Sequence, residues 1–379
     1  MKKFDFDTPV ARQDTASLKW EKYRNKDIIP LWVADMDFQS PPAVIKALKK
    51  RVEHGVFGYG IEPAGLIEAV CNTISRKYAW DIDPSWLVWL PGLVCGLNVA
   101  CRSVGTPNDH VMTMIPIYPP FLTAPGNSNR KIITVPMSSG LQGWEIDFAR
   151  LEQAITDRTG LLLLCNPHNP TGRVFSRLEL ENLLSLCARH NIIICSDEIH
   201  CDLILDTEKK HIPTASIGPE AADRTITLMA PSKTFNIPGL GCSFAVIGNN
   251  RLRKQFIRAM NGIVPYVNIL GHAAAEAAYR DGWDWLEALL GYLRQNSLLV
   301  EKVINSTDGL SMHHVEATYL AWIDARGLDK LQPGRFLESF GVGLSEGSDF
   351  GWPGFVRLNF GCRRELLNQA LNRIKAAAG

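Results

Sequence analysis

The chain has 379 residues, 46% of them hydrophobic and 21% charged, with a formal net charge of +1. Those values are ordinary for a soluble globular protein, and the length suffices for two domains around a large core. The near-neutral balance, with no long basic run, excludes polyanion binding as the main function.

The opening stretch MKKFDFD alternates Phe with Asp after two lysines and lacks the unbroken apolar run of a signal peptide. Up to about Ala43 the periodicity is weak, so a segment 1–45 is expected to wrap onto a later domain or a partner chain. The longest apolar run, Leu87–Ala100, is broken by Pro91, Gly92 and Gly96 and is too short to span a bilayer. Short apolar runs then alternate with helical patterns. The runs are 110–115, 131–136, 160–165, 191–196, 225–230 and 242–248; helices are expected over 147–155, 176–190 and 251–260. Ser176 followed by Glu179 makes a capping box that marks one helix start. Runs apolar on both parities predict strands buried on both faces. The fold class is therefore α/β, with a mostly parallel sheet covered by helices in a large domain, 46–284. From Gly282 to Asn305 a long helical pattern begins a smaller α+β domain, 285–379. It includes strand-like pieces at 319–323 and 354–360 and a last helix at 364–377.

Nine cysteines, an odd number with no C-x-x-C pair, read as small buried hydrophobes in a reducing, cytoplasmic compartment. The spacing of Cys195, His200 and Cys201 fits no common zinc pattern, so no metal is expected. A sequon at Asn305 reads as incidental.

In a parallel sheet, ligands gather at the carboxyl ends of the strands. Those ends carry PIYPPF (116–121), CNPHNPTG (165–172), CSDEIHCD (195–202) and APSKTFN (230–236). Taken alone, Asp197 reads as a helix N-cap and Lys233 as a solvated loop lysine. Tyr118 reads alone as a turn tyrosine, Gly92 as a plain strand-to-helix turn, and His200 as a structural histidine at a helix start. Lys233 and Asp197, together with Asn169 and Tyr118 at neighbouring strand ends, match a pyridoxal phosphate site, which needs a lysine for the carbonyl, a carboxylate for the pyridinium nitrogen and small or hydroxyl residues for the phosphate. Period 2 in 355–360 puts Arg357 and Asn359 on one face and Val356, Leu358 and Phe360 on the other. An arginine so placed is suited to an anion, held by two parallel hydrogen bonds; the plainer alternative is a surface arginine on an edge strand.

NPHNPTG (166–172), SDEIHCD (196–202) and APSKTFNIPGL (230–240) resemble the fold-type-I pyridoxal phosphate enzymes of the class I/II aminotransferase superfamily. DEIH, SKTFNIPGLG and PLWVADMDF (30–38) are similar to its cystathionine β-lyase/cystalysin group of C–S lyases. The resemblance runs from about residue 25 to the C-terminus. It implies that Lys233 carries the cofactor covalently and later moves the Cα proton. Asp197 pairs with the ring nitrogen, Asn169 bonds the phenolic oxygen, and Tyr118 stacks on the ring. Ser232 and the backbone of Gly92, Leu93 and Val94 hold the phosphate. Tyr59 reaches the phosphate of a neighbouring subunit in a homodimer, and Arg357, beside Asn169, binds the substrate carboxylate. His200 stands where aminotransferases have a cofactor-contacting tyrosine, and Gly241 where many have a phosphate-binding arginine. Both departures are shared with the lyase group. The resulting expectation is α,β-elimination from cystathionine or a related S-substituted cysteine, giving a thiol, pyruvate and ammonia. Tyr118 and Tyr59 are the candidates for protonating the leaving sulfur. The alternatives are an aminotransferase and a regulator acting by protein–protein binding. No nucleic-acid or membrane partner is expected.

Overall fold

The structure is a computed structural model that describes residues 4–140 and 143–379; Met1–Lys3 of the opening stretch lie outside the described residues. Its central sheet has seven strands in the spatial order Leu87–Leu90, Ser243–Val246, Thr225–Met229, Ile193–Asp197, Thr159–Cys165, His110–Ile115, Lys131–Pro136. The last five are mutually parallel. Ser243–Val246 runs antiparallel to both its neighbours.

The runs that are apolar on both parities are explained by two helical layers. Leu161 and Leu163 pack with Leu97, Ala100 and Phe256 on one side of the sheet. Leu162 and Leu164 pack with Leu180, Leu183 and Leu184 on the other. Successive side chains of a strand point to opposite faces, so a strand covered on both needs apolar residues at every position. The helix Arg177–Arg189 starts on the expected capping box: Ser176 Oγ accepts from Glu179 N at 3.2 Å, and Glu179 Oε2 accepts from Ser176 N at 2.8 Å. The apolar run 87–100 proves to be two elements. Pro91 and Gly92 divide the strand Leu87–Leu90 from the helix Leu93–Ser103.

The C-terminal region carries a four-stranded antiparallel sheet in the order Ser311–Met312, Leu320–Asp324, Phe355–Asn359, Ser345–Glu346. The helices Trp283–Ile304 and Arg364–Ala378 share a buried apolar cluster with it. The N-terminal segment joins this region through Ile29–Pro30, which pairs in parallel with Val342–Gly343. Among the described residues, no helix is long and apolar enough to cross a membrane.

Three of the plainer alternatives are set aside. No helix follows Asp197: residues 199–202 form turns, with Cys201 N donating to Glu198 O and Leu203 N to His200 O. Glu198 N is bonded instead to Leu228 O of the neighbouring strand, which holds the chain away from a helical start. Hence Asp197 is no helix N-cap and His200 lies on no helix start. Lys233 is in a one-turn helix, Pro231–Thr234, with proline in its first turn, and is no free loop residue. Arg357 is on an interior strand and 4% exposed, so it is no edge-strand surface residue.

Candidate active site

Sheet register brings the motifs together. Asp197 ends its strand level with Cys165 on one side and Leu228 on the other. Asn169 lies four residues beyond Cys165, and Lys233 five beyond Leu228. Leu87–Leu90 is antiparallel to a strand that is itself antiparallel to Thr225–Met229. Its carboxyl end, and with it Gly92, therefore falls at the same sheet edge.

At the centre is Arg357. Its Nη1 donates to Asn169 Oδ1 at 2.9 Å, and its Nη2 donates to Trp32 O at 2.9 Å and to Ser345 Oγ at 3.4 Å. The guanidinium lies 4.7 Å from the centroid of the Phe350 ring. Its Nε is buried and makes no hydrogen bond to the described residues, and no carboxylate among them pairs with the group. Burial lowers the arginine to about 10. A buried cation without an anion is costly, and this one is open to a carboxylate ligand.

Asp197 is the complementary case. It is 5% exposed and accepts one hydrogen bond, from Ile199 N at 3.1 Å. Burial pushes its carboxyl up to about 7; the Ile199 bond and the Lys233 charge pull the other way, and Glu198 adds to the rise. Such a group ionises fully only when a cation meets it. Nearby, the half-buried Lys233 donates its amine to Ala34 O. Desolvation lowers it to about 8, against the charges of Asp35 and Asp197 and with that of Arg357. His200 is buried and driven to about 3, first by burial and then by the charges of Lys233 and Arg357. The imidazole is thus neutral, and its Nδ1 has no partner among the described residues. Tyr118 immediately precedes the helix Pro119–Thr123, is largely buried, and has its phenol raised by burial. It feels the charges of both Arg357 and Asp197.

The phosphate candidates offer open donors. Gly92 precedes the eleven-residue helix Leu93–Ser103, and a Cβ added to it meets nothing within 4 Å. The first N–H groups of that helix point out of its end, with the positive end of the dipole. The Ser232 hydroxyl is not engaged by any described residue. Gly241 has φ +57°, and an added Cβ would stand 3.2 Å from Pro91 O. Its backbone conformation alone therefore favours glycine. Tyr59 is fully exposed within one chain.

Several contacts were not assigned from the sequence, although PLWVADMDF (30–38) and NPHNPTG (166–172) both carry the family resemblance. The stretch 32–38 enters the site mainly through backbone carbonyls. Asn359 Nδ2 donates to Val33 O at 2.6 Å and Asp35 O at 2.7 Å, Tyr319 Oη to Ala34 O at 3.0 Å, and Asn236 Nδ2 to Met36 O at 3.0 Å. His168 is buried, with Nδ1 2.8 Å from Thr171 Oγ1, and fixes the 166–172 loop.

A sheet edge that carries a desolvated lysine and a buried carboxylate, with an unpaired arginine reaching it from the C-terminal sheet, defines an enzyme that handles amino acids through a bound carbonyl cofactor. The chain belongs to the aminotransferase class I and II family, whose model matches residues 26–374. Among curated relatives, "Cystathionine beta-lyase PatB" of Bacillus subtilis (strain 168) is 38% identical, over 98% of this chain and 99% of its own. The crystal structure of OvoB superposes with a TM-score of 0.97 at 47% identity, covering 99% of both chains. Cystalysin from Treponema denticola, whose structure contains pyridoxal 5'-phosphate, gives a TM-score of 0.95 at 32% identity over 99% of this chain and 98% of its own. The fold is thus that of the fold-type-I pyridoxal phosphate enzymes.

Proposed function

We infer that this protein is a pyridoxal phosphate-dependent C–S β-lyase, which eliminates a thiol from cystathionine or a related S-substituted cysteine. The observation that carries an α-amino acid substrate is Arg357, a buried guanidinium with no carboxylate partner among the described residues. Its charge reaches Lys233 and Tyr118, and Tyr118 in turn feels Asp197, a grouping that suits a cofactor-bound amino acid. The choice of elimination is supported by the likeness to PatB and cystalysin.

The residues fit the cofactor. Asp197 needs a cation, which a protonated ring nitrogen provides. The orphaned His200 Nδ1 and the Asn169 side chain are the polar groups for the phenolic oxygen. Ser232 and the N–H groups of Gly92, Leu93 and Val94 would hold its phosphate, and Tyr118 would lie against its ring. When bound, the cofactor supplies an electron sink for charge developing at the substrate Cα.

The chain supplies the rest. Arg357 holds the substrate carboxylate by two parallel hydrogen bonds and so fixes the direction of the Cα–H bond. The Lys233 amine takes that proton. With its affinity lowered to about 8, about a tenth of it is neutral at pH 7, enough for a base. The electron pair left at Cα expels the sulfur from Cβ. Tyr118, or the partner's Tyr59, delivers a proton to the leaving thiolate. The enamine that remains hydrolyses to pyruvate and ammonia.

A homodimer belongs to this reading. Tyr59 is flanked by Val56, Phe57 and Ile61, all exposed, and apolar side chains so placed call for cover by a second copy. The boundaries 45/46 and 284/285 are retained for the two domains, supported by the separate sheets within 87–246 and 311–359. A reducing, cytoplasmic setting is supported by nine free cysteines, seven of them buried.

Pyruvate released from cystathionine by the cofactor-loaded protein, with no keto acid added, is the expected result. Amino transfer to a keto acid without pyruvate would replace this reading with a transaminase.

A further inference from the structure

Two asparagines hold the stretch 33–38 from its two ends. Asn359 lies two residues beyond Arg357, on the same face of the strand Phe355–Asn359. Its Nδ2 donates to Val33 O at 2.6 Å and to Asp35 O at 2.7 Å. Asn236 lies three residues beyond Lys233. Its Nδ2 donates to Met36 O at 3.0 Å and to Phe38 O at 2.8 Å, and its Oδ1 accepts from Met36 N at 2.9 Å. Ile237 N donates to Ser232 O at 3.0 Å, which binds residue 236 into the turn that carries the lysine. Asn236 has φ +53°, a conformation that asparagine adopts more readily than most residues. Lys233 follows a strand of the central sheet, whereas Arg357 lies in the C-terminal one. Among the described residues, no hydrogen bond joins the two side chains directly.

We propose that 33–38 is a spacer that sets Lys233 against Arg357, with Asn236 and Asn359 as its positioning residues. The proposal rests on reading Lys233 as the base and Arg357 as the grip on the substrate carboxylate, whichever reaction follows. The substrate Cα is one bond from that carboxylate, so the place of its hydrogen follows Arg357. The amine that takes the hydrogen comes from the other sheet. Its own link to the spacer, from Nζ to Ala34 O, is given up whenever the nitrogen is engaged elsewhere. The Asn236 bonds do not depend on the state of the amine. Two further bonds do not replace them. Arg12 Nη1 donates to Met36 O at 3.0 Å, but Arg12 is bonded to no residue of the lysine turn. Ser40 Oγ donates to Asn236 O at 2.9 Å, but Ser40 lies beyond the spacer. If the Asn236 side chain is removed, Arg357 keeps its own bonds to Asn169, Trp32 and Ser345. Its loss therefore disturbs the base and spares the grip. A small displacement of reacting atoms is costly in rate, so the penalty falls on kcat rather than KM.

The test uses Asn236→Gly, which tolerates the backbone conformation and removes the three side-chain bonds. In the cofactor-free protein, the Met36 amide should exchange its hydrogen about tenfold faster in the variant than in wild type. With pyridoxal phosphate bound, the proton step is read with alanine, which has no leaving group at Cβ. Lysine takes the Cα proton, a deuteron from the solvent returns, and the loss of the Cα–H signal is followed by NMR. Asn236→Gly should lower the saturated exchange rate by about tenfold, with the half-saturating alanine concentration within about twofold of wild type. Asn359→Ala gives an independent arm. It should also slow exchange, and the double variant should lose no more than about the larger single loss, because both changes break one spacer. The proposal is overturned by a Met36 amide that stays protected in Asn236→Gly, by an unchanged exchange rate, by a half-saturating concentration that rises as far as the rate falls, or by losses that multiply in the double variant. Absence of pyruvate from cystathionine would sink the lyase reading and leave the alanine result standing.

Discussion

Arg357 Nη1 and Asn169 Oδ1 lie 2.9 Å apart, joining the C-terminal sheet to the loop that follows a central strand. The bond fixes one arm of the guanidinium and, at the same time, the side chain proposed to meet the cofactor oxygen. Substrate carboxylate and cofactor ring are thereby referred to one hydrogen bond.

Replacing Arg357 with lysine keeps the charge but removes the fork. A point charge on a flexible stem cannot make two parallel bonds to a carboxylate while holding Asn169. We expect kcat/KM to fall by about 100-fold, chiefly through KM. Steady-state kinetics with cystathionine checks this; a change under threefold would place the carboxylate elsewhere.

Asp197 gives a pH signature in stability. Its folded pKa of about 7 lies above the unfolded 3.8. Between those values the native state binds more protons, so its share of stability is present at low pH and is lost as pH rises towards 7. Asp197→Asn has no charge to bury. Without cofactor, the variant should melt higher than wild type at pH 8 and at the same temperature near pH 4. With cofactor bound, the order at pH 8 should reverse. Calorimetric melts of both forms decide it, and an equal difference at the two pH values counts against the assignment.

The shared-site reading makes a complementation prediction. Neither Lys233→Ala nor Tyr59→Ala should be active alone. A hybrid dimer of one subunit of each holds one site with both residues intact, since the tyrosine comes from across a two-fold interface. Such a hybrid should recover about half of wild-type activity. Lack of recovery in a purified hybrid would confine Tyr59 to some other role.

Gly241 should resist substitution for a reason unrelated to the reaction. At φ +57°, any Cβ costs about 1–2 kcal/mol. Gly241→Ala and Gly241→Arg should therefore lose similar stability in urea unfolding. A loss confined to the arginine variant would show that side-chain bulk, not backbone conformation, is at stake.

The central sheet was legible because a strand covered on both faces must be apolar at every position. Five of the six such runs are so covered, while Lys131–Pro136, at the edge of the sheet, leaves Lys131, Ile132 and Thr134 exposed. The chemical groups at its edge were legible only as a set: Asp197, Asn169 and Lys233 each follow an apolar run, and it is their place at neighbouring strand ends that marks them. The division of 87–100 was harder, because strand and helix are both apolar there and only Pro91 and Gly92 part them. The stretch 30–38 was legible as a motif of the family, but the part that Trp32, Val33 and Ala34 play in it was not. They contribute carbonyl oxygens, which every residue has. His200 was set on a helix that does not form, since the competing bond from Glu198 N to Leu228 O is a tertiary one.

The contact between Arg357 Nη2 and Trp32 O ties the thirty-second residue to the three hundred and fifty-seventh. On a ribosome, the large sheet is complete well before the arginine is made. A chain made only as far as Val246, where the large sheet ends, thus owns its lysine and its buried carboxylate but has nothing to grip an amino acid. Specific substrate capture becomes possible only at the end of translation, and it depends on the chain's early segment having stayed free to fold back. A folding domain fused rigidly at that end would compete with the return, and would be felt first in substrate binding rather than in cofactor retention.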